Sequence, residues 1–400
     1  MKNFPIEWVI DQDMPEIVKK NTYTGIDINC PVCAKPYKMN INLQKNVCRC
    51  NACNSGFNSI TLHAKLCGVD NKKAYADLSK RWRGVSSSLK AVYKTTAQSK
   101  SKPVEVASLW VRNAIYEEFL DELTLEPKHR ENLLKRGLDD ATIQYNRYRS
   151  VPLKDMNITD VVYRVRSRDA EVDKYFKSHK VYIPGLYDLN NKPMAVGGYS
   201  GILIPIVVRI ASNDLVEQDY ISGFQIRLDE GNKRYVYYTS SMTDKNGKSI
   251  YKNGCGFTGC ENIHMRLPYP EIDEERGKFK ELSLPKVLLT EGALKGDIAS
   301  HLGNASKDMP VISVLGVSNQ GQLVDCLNYL KDTFKTKEIW LCFDEDYVDN
   351  ENVFKALEHA KDTIKSTGLI LNEYHWEYEY YKYGIKGIDD LLLFKKTRKG

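Results

Sequence analysis

Acidic residues that directly follow apolar, strand-like runs are the strongest chemical signal in this sequence. The run VLLT ends at Glu291, and the run IWLCF ends in FDED, which contains Asp344 and Asp346. Because the carboxyl ends of strands in an open parallel sheet face one crevice, we expect these three acids to meet there. Such carboxylates repel one another but suit Mg²⁺ or Mn²⁺, and two ions could support phosphoryl transfer. The alternative for any one acid alone is a solvated turn residue.

A fourth acid, Asp389, lies in the segment KGIDD after another strand-like stretch. Its carboxylate could join the same metal site. The alternative is that Asp389 or Asp390 caps a helix, since aspartate accepts hydrogen bonds from the first free N–H groups of a helix.

Two C-x2-C pairs indicate a zinc site near the N-terminus. Cys30 and Cys33 form one pair, and Cys50 and Cys53 form the other, with sixteen residues between the pairs. This spacing is typical of two turns that direct four thiolates at one tetrahedral Zn²⁺. Cys48 leaves an alternative open, because it could replace one ligand of the second pair.

A weaker metal candidate lies in the middle of the chain. Cys255 and Cys260 are close in sequence to His264, and thiolate and imidazole are both zinc ligands. The alternative, which we favour, is that both cysteines are ordinary thiols.

The C-terminal segment must supply the sheet that positions the acids. From about residue 285, PKVLLT, MPVISVLG, KEIWLCF and GLILNEY are typical of buried strands, and the segments between them are typical of helices. This alternation predicts a parallel sheet with crossover helices. The aromatic, acidic segment EYHWEYEYYKYG (373–384) is predicted to be a further strand.

The preceding segments differ in pattern. Residues 107–145 have helical spacing, with Pro127 tolerated in a first turn and Gly137 at a helix end. From about Val161 to Tyr238 the pattern predicts strands separated by Asn, Asp and Gly turns. Near the N-terminus, one helix is predicted from Ser59 to about Arg81.

Length and charge indicate several domains. Four hundred residues exceed one compact core, and the polar segment 86–105 is typical of a flexible linker. Residues 31–105 contain fourteen Lys and Arg against three acids, whereas the whole chain has a net charge of only +6. A basic module on a slightly acidic body suits a polyanionic partner. The alternative is a solvated lysine-rich surface.

The sequence has no apolar run of about eighteen residues and no apolar stretch typical of a signal peptide at its start. We therefore expect a cytoplasmic protein that does not enter a membrane. In that compartment cysteines are thiols or metal ligands rather than disulfides.

Taken in order, these motifs resemble the DnaG-type DNA primases of bacteria, phages and mobile elements. The segments CPVC, CNAC and NSGFNSITL resemble a primase zinc ribbon. GILIPI, SGFQIRLD and KRYVYYTSS resemble the primase RNA-polymerase subdomain. The EG pair, the Gly turn at 315–318 and FDED resemble a Toprim domain, which primases share with topoisomerases and some nucleases.

The resemblance implies a multidomain α+β and α/β fold. A zinc-ribbon template-binding domain would span 1–85 and the linker 86–105. A mixed α+β primase subdomain would span 106–280, followed by a catalytic Toprim domain with a parallel sheet over 281–400. The implied activity is synthesis of short RNA primers on single-stranded DNA during replication of a phage, plasmid or other mobile element.

The resemblance also implies roles for individual residues. Glu291, Asp344 and Asp346 would be the catalytic Mg²⁺ or Mn²⁺ ligands, assisted by Asp389. The four cysteines 30, 33, 50 and 53 would hold structural Zn²⁺. The residues expected to hold nucleotide or template are Arg227, Lys233, Arg234 and Lys295.

Two departures from the family pattern concern this site. An acid often follows the motif glutamate by four residues, but here that position is Lys295, with Asp297 two further on. The chain thus resembles a divergent EGxxKxD branch. Gly387 stands where a second Asp is expected near the end.

The expected partners are a single-stranded DNA template and ribonucleoside triphosphates. No GxxxxGK[ST] loop occurs, so we expect a separate replicative helicase. Two alternatives remain: a Toprim nuclease, in which the metals activate water, and an inactive adaptor that binds single-stranded DNA in replication.

Overall fold

The structure is a computed structural model. It describes residues 4–21, 25–43, 45–86, 90, 93, 104–210, 218–231, 234–242, 249–258, 260–268, 272–273, 278–279, 282–303, 310–316, 320–348 and 351–399. Most of the predicted linker 86–105 lies outside these residues, as does Lys233. The chain divides into two compact units: Met1–Val104 with Ser241–Tyr251, and Glu105–Ser240 with Lys252–Gly400.

The smaller unit is built on a five-stranded antiparallel sheet in the order β1-β2-β3-β4-β5. Its strands are β1 Lys20–Asn21, β2 Gly25–Ile28, β3 Met39–Asn42, β4 Val47–Cys50 and β5 Gly56–Asn58. Its helices are α1 Ile6–Asp13, α2 Ser59–Cys67 and α3 Asn71–Gly84. Apolar residues of α1 and of the sheet share one core with the cysteines.

The single helix predicted from Ser59 to about Arg81 is wrong, because the structure has two helices there. Gly68 ends α2 in the left-handed conformation with φ 65°, which glycine adopts without steric cost. Asp70 then starts α3 by accepting hydrogen bonds from the backbone N–H groups of Lys72 and Lys73.

The larger unit begins with helices and antiparallel sheets. The helices are α4 Leu109–Asp121, α5 Pro127–Lys135, α6 Asp140–Tyr145, α7 Thr159–Arg168 and α8 Ala170–Ser178. The strands are β6 Arg149–Ser150, β7 Met156–Asn157, β8 Leu186–Leu189, β9 Lys192–Ala195, β10 Gly201–Ile210, β11 Gln218–Leu228 and β12 Tyr235–Tyr237. They form the sheets β12-β11-β10-β6 and β7-β9-β8.

The prediction of strands from Val161 onward is wrong for its first part, which forms α7 and α8. The buried residues Val161 and Val165 are one helical turn apart, and such spacing is typical of a helix. Asp169 caps α8 through the backbone N–H groups of Glu171 and Val172.

The C-terminal part contains a five-stranded sheet in the order β13-β17-β16-β18-β19. Four strands are parallel, and β13 Ile263–Arg266 is the antiparallel edge. The parallel strands are β16 Lys286–Glu291, β17 Val311–Val314, β18 Glu338–Leu341 and β19 Ile370–Glu373, and a short pair, β14 Ile272–Asp273 with β15 Lys278–Phe279, lies apart from the sheet. The helices are α9 Ala293–Leu302, α10 Leu323–Phe334, α11 Glu351–Ser366, α12 Glu377–Tyr383 and α13 Ile388–Lys399.

The strand predicted for 373–384 is wrong, because α12 forms over most of that segment. Glu377 and Glu379 lie in its first turn, where carboxylates favour a helix, and Gly384 ends it with φ 69°. Tyr378 and Tyr381 are exposed on this helix rather than packed at a strand edge.

The architecture is mixed α+β with a four-cysteine, zinc-ribbon-like cluster and a sheet of mainly parallel strands, as predicted. One apolar core joins the segments on either side of residue 280, with Ile202 and Ile204 in the same cluster as Leu294 and Ile298. Separate domains over 106–280 and 281–400 stay a prediction. None of the helices within the described ranges is both long and apolar enough to cross a bilayer.

Candidate active site and metal centre

The four predicted zinc ligands converge in the smaller unit. The sulfur atoms of Cys30 and Cys53 are 3.7 Å apart, and those of Cys33 and Cys50 are 3.8 Å apart. A tetrahedral site with Zn–S bonds of about 2.3 Å requires sulfur atoms about 3.8 Å apart. The cluster therefore has the donors and the spacing of structural zinc.

Two similar turns create this geometry. Ala34 and Asn54 adopt φ 56° and 57° and return the chain so that their N–H groups donate to the carbonyls of Cys30 and Cys50. The N–H groups of Val32 and Ala52 point at the sulfur atoms of the same cysteines. These donors suit a thiolate, which is the form that binds zinc.

Cys48 lies outside the cluster. It is buried on β4 and pairs in the sheet with Ile41 and Phe57. Burial raises the pKa of its thiol to about 11, so it remains protonated at neutral pH. The geometry therefore favours Cys50 over Cys48 as a ligand.

The strand order places the acids where a sheet of this kind binds ligands. The chain runs from β16 to β17 on one side of β16 and then crosses to β18 on the other side. Such a reversal opens a crevice at the carboxyl ends of the strands. Glu291 is the last residue of β16, and Asp344 follows β18 by three residues.

Glu291 and Asp344 meet through a lysine. The ammonium nitrogen of Lys295 lies 2.9 Å from Glu291 Oε1 and 2.5 Å from Asp344 Oδ1. Lys295 is one turn along α9 from Glu291, so the geometry of the helix itself aims its side chain back at the strand end. The three groups are largely buried, with side-chain exposures of 18% for Glu291, 20% for Lys295 and 2% for Asp344.

A second lysine joins the remaining acids. Lys386 Nζ lies 3.2 Å from Asp344 Oδ2 and 2.8 Å from Asp346 Oδ2. Asp389 lies beside Gly387, which has no side chain. A β-carbon added to Gly387 would lie 2.4 Å from Asp389 Oδ1 and 3.4 Å from Asp344 Oδ1. Gly387 therefore leaves the space in which these two carboxylates approach each other.

Burial and like charge perturb the acids. Burial, with the charge of Asp344, raises the pKa of Glu291 to about 7. Burial also raises the pKa of Asp344, but the charges of Lys295 and Lys386 and hydrogen bonds from Lys295 and Glu291 together hold that pKa below its usual value. Burial and Asp390 raise the pKa of Asp389 to about 6. Such crowding of carboxylates is costly and is typical of sites that bind cations.

The carboxylates can also hold a hard cation. Asp346 Oδ1 and Asp389 Oδ1 are buried without a hydrogen-bond partner. A buried carboxylate oxygen with no donor is unfavourable unless an ion satisfies it. The residues that would hold Mg²⁺ or Mn²⁺ are therefore Asp344, Asp346 and Asp389, with Glu291 on the far side of Lys295.

Arginines adjoin the acids. Arg136, at the end of α5, lies 3.6 Å from Asp389 Oδ2. On β11, Arg227 has a buried Nε without a hydrogen-bond partner. Burial, followed by the charges of Arg136 and Arg234, lowers its pKa. A hydrogen bond with Tyr235 raises the pKa of Arg227, but it does not cancel the lowering by burial and by the other two arginines. We therefore interpret the three arginines as a cationic cluster suited to phosphate groups.

Asp297, the other acid of the EGxxKxD motif, points away from the acids. It is fully buried and accepts a hydrogen bond from the hydroxyl of Tyr148 at 2.5 Å. His264 Nε2 and Arg266 Nε each lie 2.9 Å from its Oδ1. This network fixes α9 against β13, and it accounts for His264 without a metal.

The second metal candidate of the sequence is therefore not supported. Cys255 and Cys260 are buried, and burial raises the pKa of each thiol, to about 12 and about 11 respectively. Within the described ranges, only two groups of three or more His, Cys, Asp or Glu bring their ligand atoms within 4.8 Å of one another, and neither contains these residues. The sheet-edge acids do not form such a group.

The four cysteines form one of these two groups, and Asp13, His63 and Cys67 form the other. His63 Nδ1 lies 2.6 Å from Asp13 Oδ2, and its Nε2 lies 2.9 Å from Asp77 Oδ2. Arg81 bonds to both carboxylates. Since these polar atoms already satisfy one another, we interpret the group as an ion-pair network that ties α1, α2 and α3 together.

Arg136 and Lys386 are site residues that the sequence did not reveal. Arg136 precedes a helix-ending glycine, and nothing in its neighbourhood points to an acid 250 residues away. A cation–Gly–x–Asp segment such as the one at Lys386 has many structural explanations. Only the packing of α5 against α9 and α13, through Gly137, Leu302 and Leu393, brings Arg136 to the site.

The C-terminal part of the chain, which contains the acids, is similar to a known sequence family. Residues 279–399 match a family described as a domain of unknown function, DUF3854. No curated protein matches this chain.

Several solved structures are similar to this chain. The zinc-binding and RNA polymerase domains of Aquifex aeolicus primase are 16% identical, with 99% of this chain and 86% of that chain covered and a TM-score of 0.41. The catalytic core of E. coli primase is 16% identical, with 72% and 76% covered and a TM-score of 0.42. The primase fragment of the bacteriophage T7 primase-helicase protein is 12% identical, with 93% and 96% covered and a TM-score of 0.32. Because these TM-scores are all below 0.5, the similarity carries no argument about function, which depends on the residues of the site itself.

Proposed function

We propose that this protein is a DNA primase, which joins ribonucleotides into short primers on a single-stranded DNA template. One observation carries the proposal: buried carboxylates at the carboxyl ends of β16 and β18 adjoin a cluster of three arginines, Arg136, Arg227 and Arg234. Arg136 links the two groups through its 3.6 Å contact with Asp389. A site for a divalent ion beside a site for phosphates is what nucleotidyl transfer requires.

The arginines would hold the triphosphate of the incoming nucleotide. Arg227 is partly buried on β11, and Arg234 follows it on the way into β12, where the backbone N–H of Leu228 donates to the carbonyl of Arg234. Guanidinium groups bind phosphate oxygens in pairs of hydrogen bonds and so fix orientation as well as charge. Lys233, which lies outside the described residues, would add a further cation.

The carboxylates would place the reacting atoms. The 3′-hydroxyl oxygen of the growing primer attacks the α-phosphorus of the nucleotide, the bond from that phosphorus to the β-phosphate oxygen breaks, and pyrophosphate leaves. The hydroxyl proton passes to water. A bound Mg²⁺ or Mn²⁺ would lower the pKa of the hydroxyl and stabilise the charge that develops. Asp344, Asp346 and Asp389 would orient the reactants around it.

The arginine cluster favours this reaction over hydrolysis of the template. A nuclease needs the carboxylates and the ion, but it does not need a buried cationic site for a triphosphate. The unpartnered Arg227 Nε is costly to bury, and a triphosphate would satisfy it.

The smaller unit would bind the template. Zinc held by its four cysteines would fasten the sheet together, and the surrounding sequence is strongly basic, with fourteen Lys and Arg against three acids over 31–105. Basic side chains bind the phosphates of a single strand largely without regard to sequence. Removing zinc should therefore weaken template binding while the larger unit stays folded.

Primer synthesis by matched variants tests the proposal. The full-length protein is incubated with single-stranded DNA, Mg²⁺ and labelled ribonucleoside triphosphates. Asp344→Asn should abolish primers, by at least about 10³-fold, and leave template binding unchanged. Asp332→Asn, an exposed carboxylate on α10, is the control and should behave as wild type. If the wild type shortens the template and makes no primers, and Asp344→Asn no longer shortens it, the protein is a nuclease. No activity in any variant would favour an adaptor.

The proposal extends to the cellular partners. A primase of this kind serves replication of a phage, plasmid or other mobile element in a bacterial cell and acts with a separate replicative helicase. Primer yield with and without the helicase of the same replicon tests this step. Failure of any helicase to stimulate the yield would remove the helicase from the proposal without affecting primer synthesis.

A further inference from the structure

We infer that Lys295 takes the place of one of the two divalent cations, so that the active site works with a single Mg²⁺ or Mn²⁺ and a built-in ammonium group. This inference rests on the proposed function and names the metal requirement of the same site.

Lys295 lies where a bridging cation would lie. Its ammonium nitrogen is 2.9 Å from an oxygen of Glu291 and 2.5 Å from an oxygen of Asp344. Those two carboxylates come from different strands, and in a two-ion site they would share a metal. A unit charge held between them neutralises their repulsion without any ion.

The backbone of Lys295 cannot move away to admit an ion. The next residue, Gly296, is packed so closely that an added β-carbon would lie 2.0 Å from Ser313 Oγ. One residue further on, Asp297 is fixed by Tyr148 and His264. The helix α9 is therefore held on both sides of Lys295. Only 20% of the lysine side chain is exposed, so its ammonium group has little access to solvent.

Lys386 behaves differently. It contacts Asp344 and Asp346 at 3.2 Å and 2.8 Å, but 49% of its side chain is exposed. Its long side chain can swing into solvent at little cost. An ion entering the site would displace Lys386 and gain oxygens of Asp344 and Asp346, together with the unpartnered Oδ1 of Asp389.

The charges balance with one ion. The site has four carboxylates, those of Glu291, Asp344, Asp346 and Asp389. With all four ionised, as a bound cation favours, and with Lys386 moved out, one divalent cation together with Lys295 and Arg136 neutralises them. A second divalent ion would leave the site with an excess of positive charge beside a buried ammonium group, which is unfavourable in a low-dielectric environment.

Counting Mn²⁺ ions on the zinc-loaded, full-length protein tests the inference. Electron paramagnetic resonance measures free Mn²⁺ during titration and also detects spin coupling between two bound ions. The wild type should bind one uncoupled Mn²⁺. Lys295→Gln and Lys295→Glu should each bind two, with spin coupling and with the second ion held more tightly by the glutamate variant. The control Lys286→Gln, at the exposed amino end of β16, should bind one. Lys386→Gln, which removes the lysine that the ion displaces, should also bind one and should bind it more tightly than the wild type.

Two coupled ions on the wild type would overturn the inference. A count of one for both Lys295 variants would also overturn it, since the lysine would then not occupy an ion position. Zinc content and thermal unfolding of each variant show whether it is folded, and the glutamine variant adds no negative charge. Because the ion count is independent of synthesis, one Mn²⁺ with no primer formation would refute the proposed function alone, whereas primers with two ions would refute only the role of Lys295.

Discussion

Replacing Gly296 by alanine should displace the helix that carries Lys295. The added β-carbon would lie 2.0 Å from Ser313 Oγ on β17. Contacts of a real β-carbon are longer than 3.0 Å, so Ser313 Oγ must rotate to another χ1 position in the packed core, or the helix and the strand must separate by about 1 Å. Forced overlap in a packed core costs about 1–3 kcal/mol. Alanine returns up to about 1 kcal/mol through its higher helix propensity. We expect Gly296→Ala to lower the free energy of unfolding by about 1–2 kcal/mol.

Ser313→Ala provides the matched second change. Ser313 Oγ is buried without a hydrogen-bond partner, so its removal should be neutral or stabilising. In the double variant the β-carbon at position 296 meets the β-carbon of residue 313 at 3.4 Å and Cγ1 of Val311 at 3.6 Å, which are ordinary contacts. The double variant should therefore regain most of the lost stability, with a coupling energy of at least about 1 kcal/mol.

Urea unfolding followed by circular dichroism measures this cycle, and Mn²⁺ titration of the same proteins reports on the site. Gly296→Ala should weaken Mn²⁺ binding, and the double variant should restore it. The close packing on which the fixed position of Lys295 depends would be refuted if Gly296→Ala were as stable as the wild type. It would also be refuted if adding Ser313→Ala did not restore the lost free energy of unfolding.

Three further predictions address the zinc centre, the acids and the arginines. Cys50→Ser should reduce bound zinc from one ion per chain to almost none and unfold the smaller unit, whereas Cys48→Ala should keep its zinc; retention of zinc by Cys50→Ser would contradict the ligand assignment. Burial raises the pKa of Glu291 to about 7 from an ordinary 4.5, so between these pH values the folded form holds a proton that the unfolded form releases. The free energy of unfolding without Mg²⁺ should therefore fall as pH rises from about 4.5 to about 7, by at most about 3 kcal/mol. Glu291→Gln should flatten that part of the pH curve, and an unchanged slope would refute the shift. Arg227→Met should raise the melting temperature, because it removes a partly buried cation that lies near like charges. The same change should raise the KM for ribonucleoside triphosphates at least tenfold. Equal KM values for the variant and the wild type would remove Arg227 from the nucleotide site.

The sheet and its acids could be predicted because local and global signals agree. Each parallel strand is a short apolar run bounded by a turn, and each intervening helix has a regular apolar face. Once alternation fixes the strands as parallel, the geometry of such sheets brings Glu291 and Asp344 together, although 52 residues separate them in sequence. The C-x2-C spacing predicts the cysteine cluster for a similar reason, because each turn is local.

The cationic half of the site could not be predicted in the same way. Arg136 reaches Asp389 only through the packing of α5 on α9 and α13, and no local pattern encodes that distance. Lys386 was equally hidden, and Lys295 was predicted to bind nucleotide or template, because each lysine becomes a counter-ion only after the strands have assembled. A basic residue next to a predicted metal site is also easily assigned to phosphate binding.

Errors in secondary structure came from short segments with mixed signals. Aromatic and β-branched residues over 159–178 and 373–384 favour strands by propensity, but Asp169 and the paired glutamates of α12 start helices. Gly68 broke a helix whose apolar spacing continues on both sides of it. An aspartate cap, glutamates in a first turn and a left-handed glycine thus outweighed the propensities of neighbouring residues.

Release of pyrophosphate tests the central claim most directly. Purified protein with Mg²⁺, single-stranded DNA and ribonucleoside triphosphates should release one pyrophosphate for each phosphodiester bond formed, and the release should stop when the template or the divalent ion is withheld. Nucleotide monophosphates released from the template, with no pyrophosphate, would contradict the claim that these carboxylates and arginines join nucleotides.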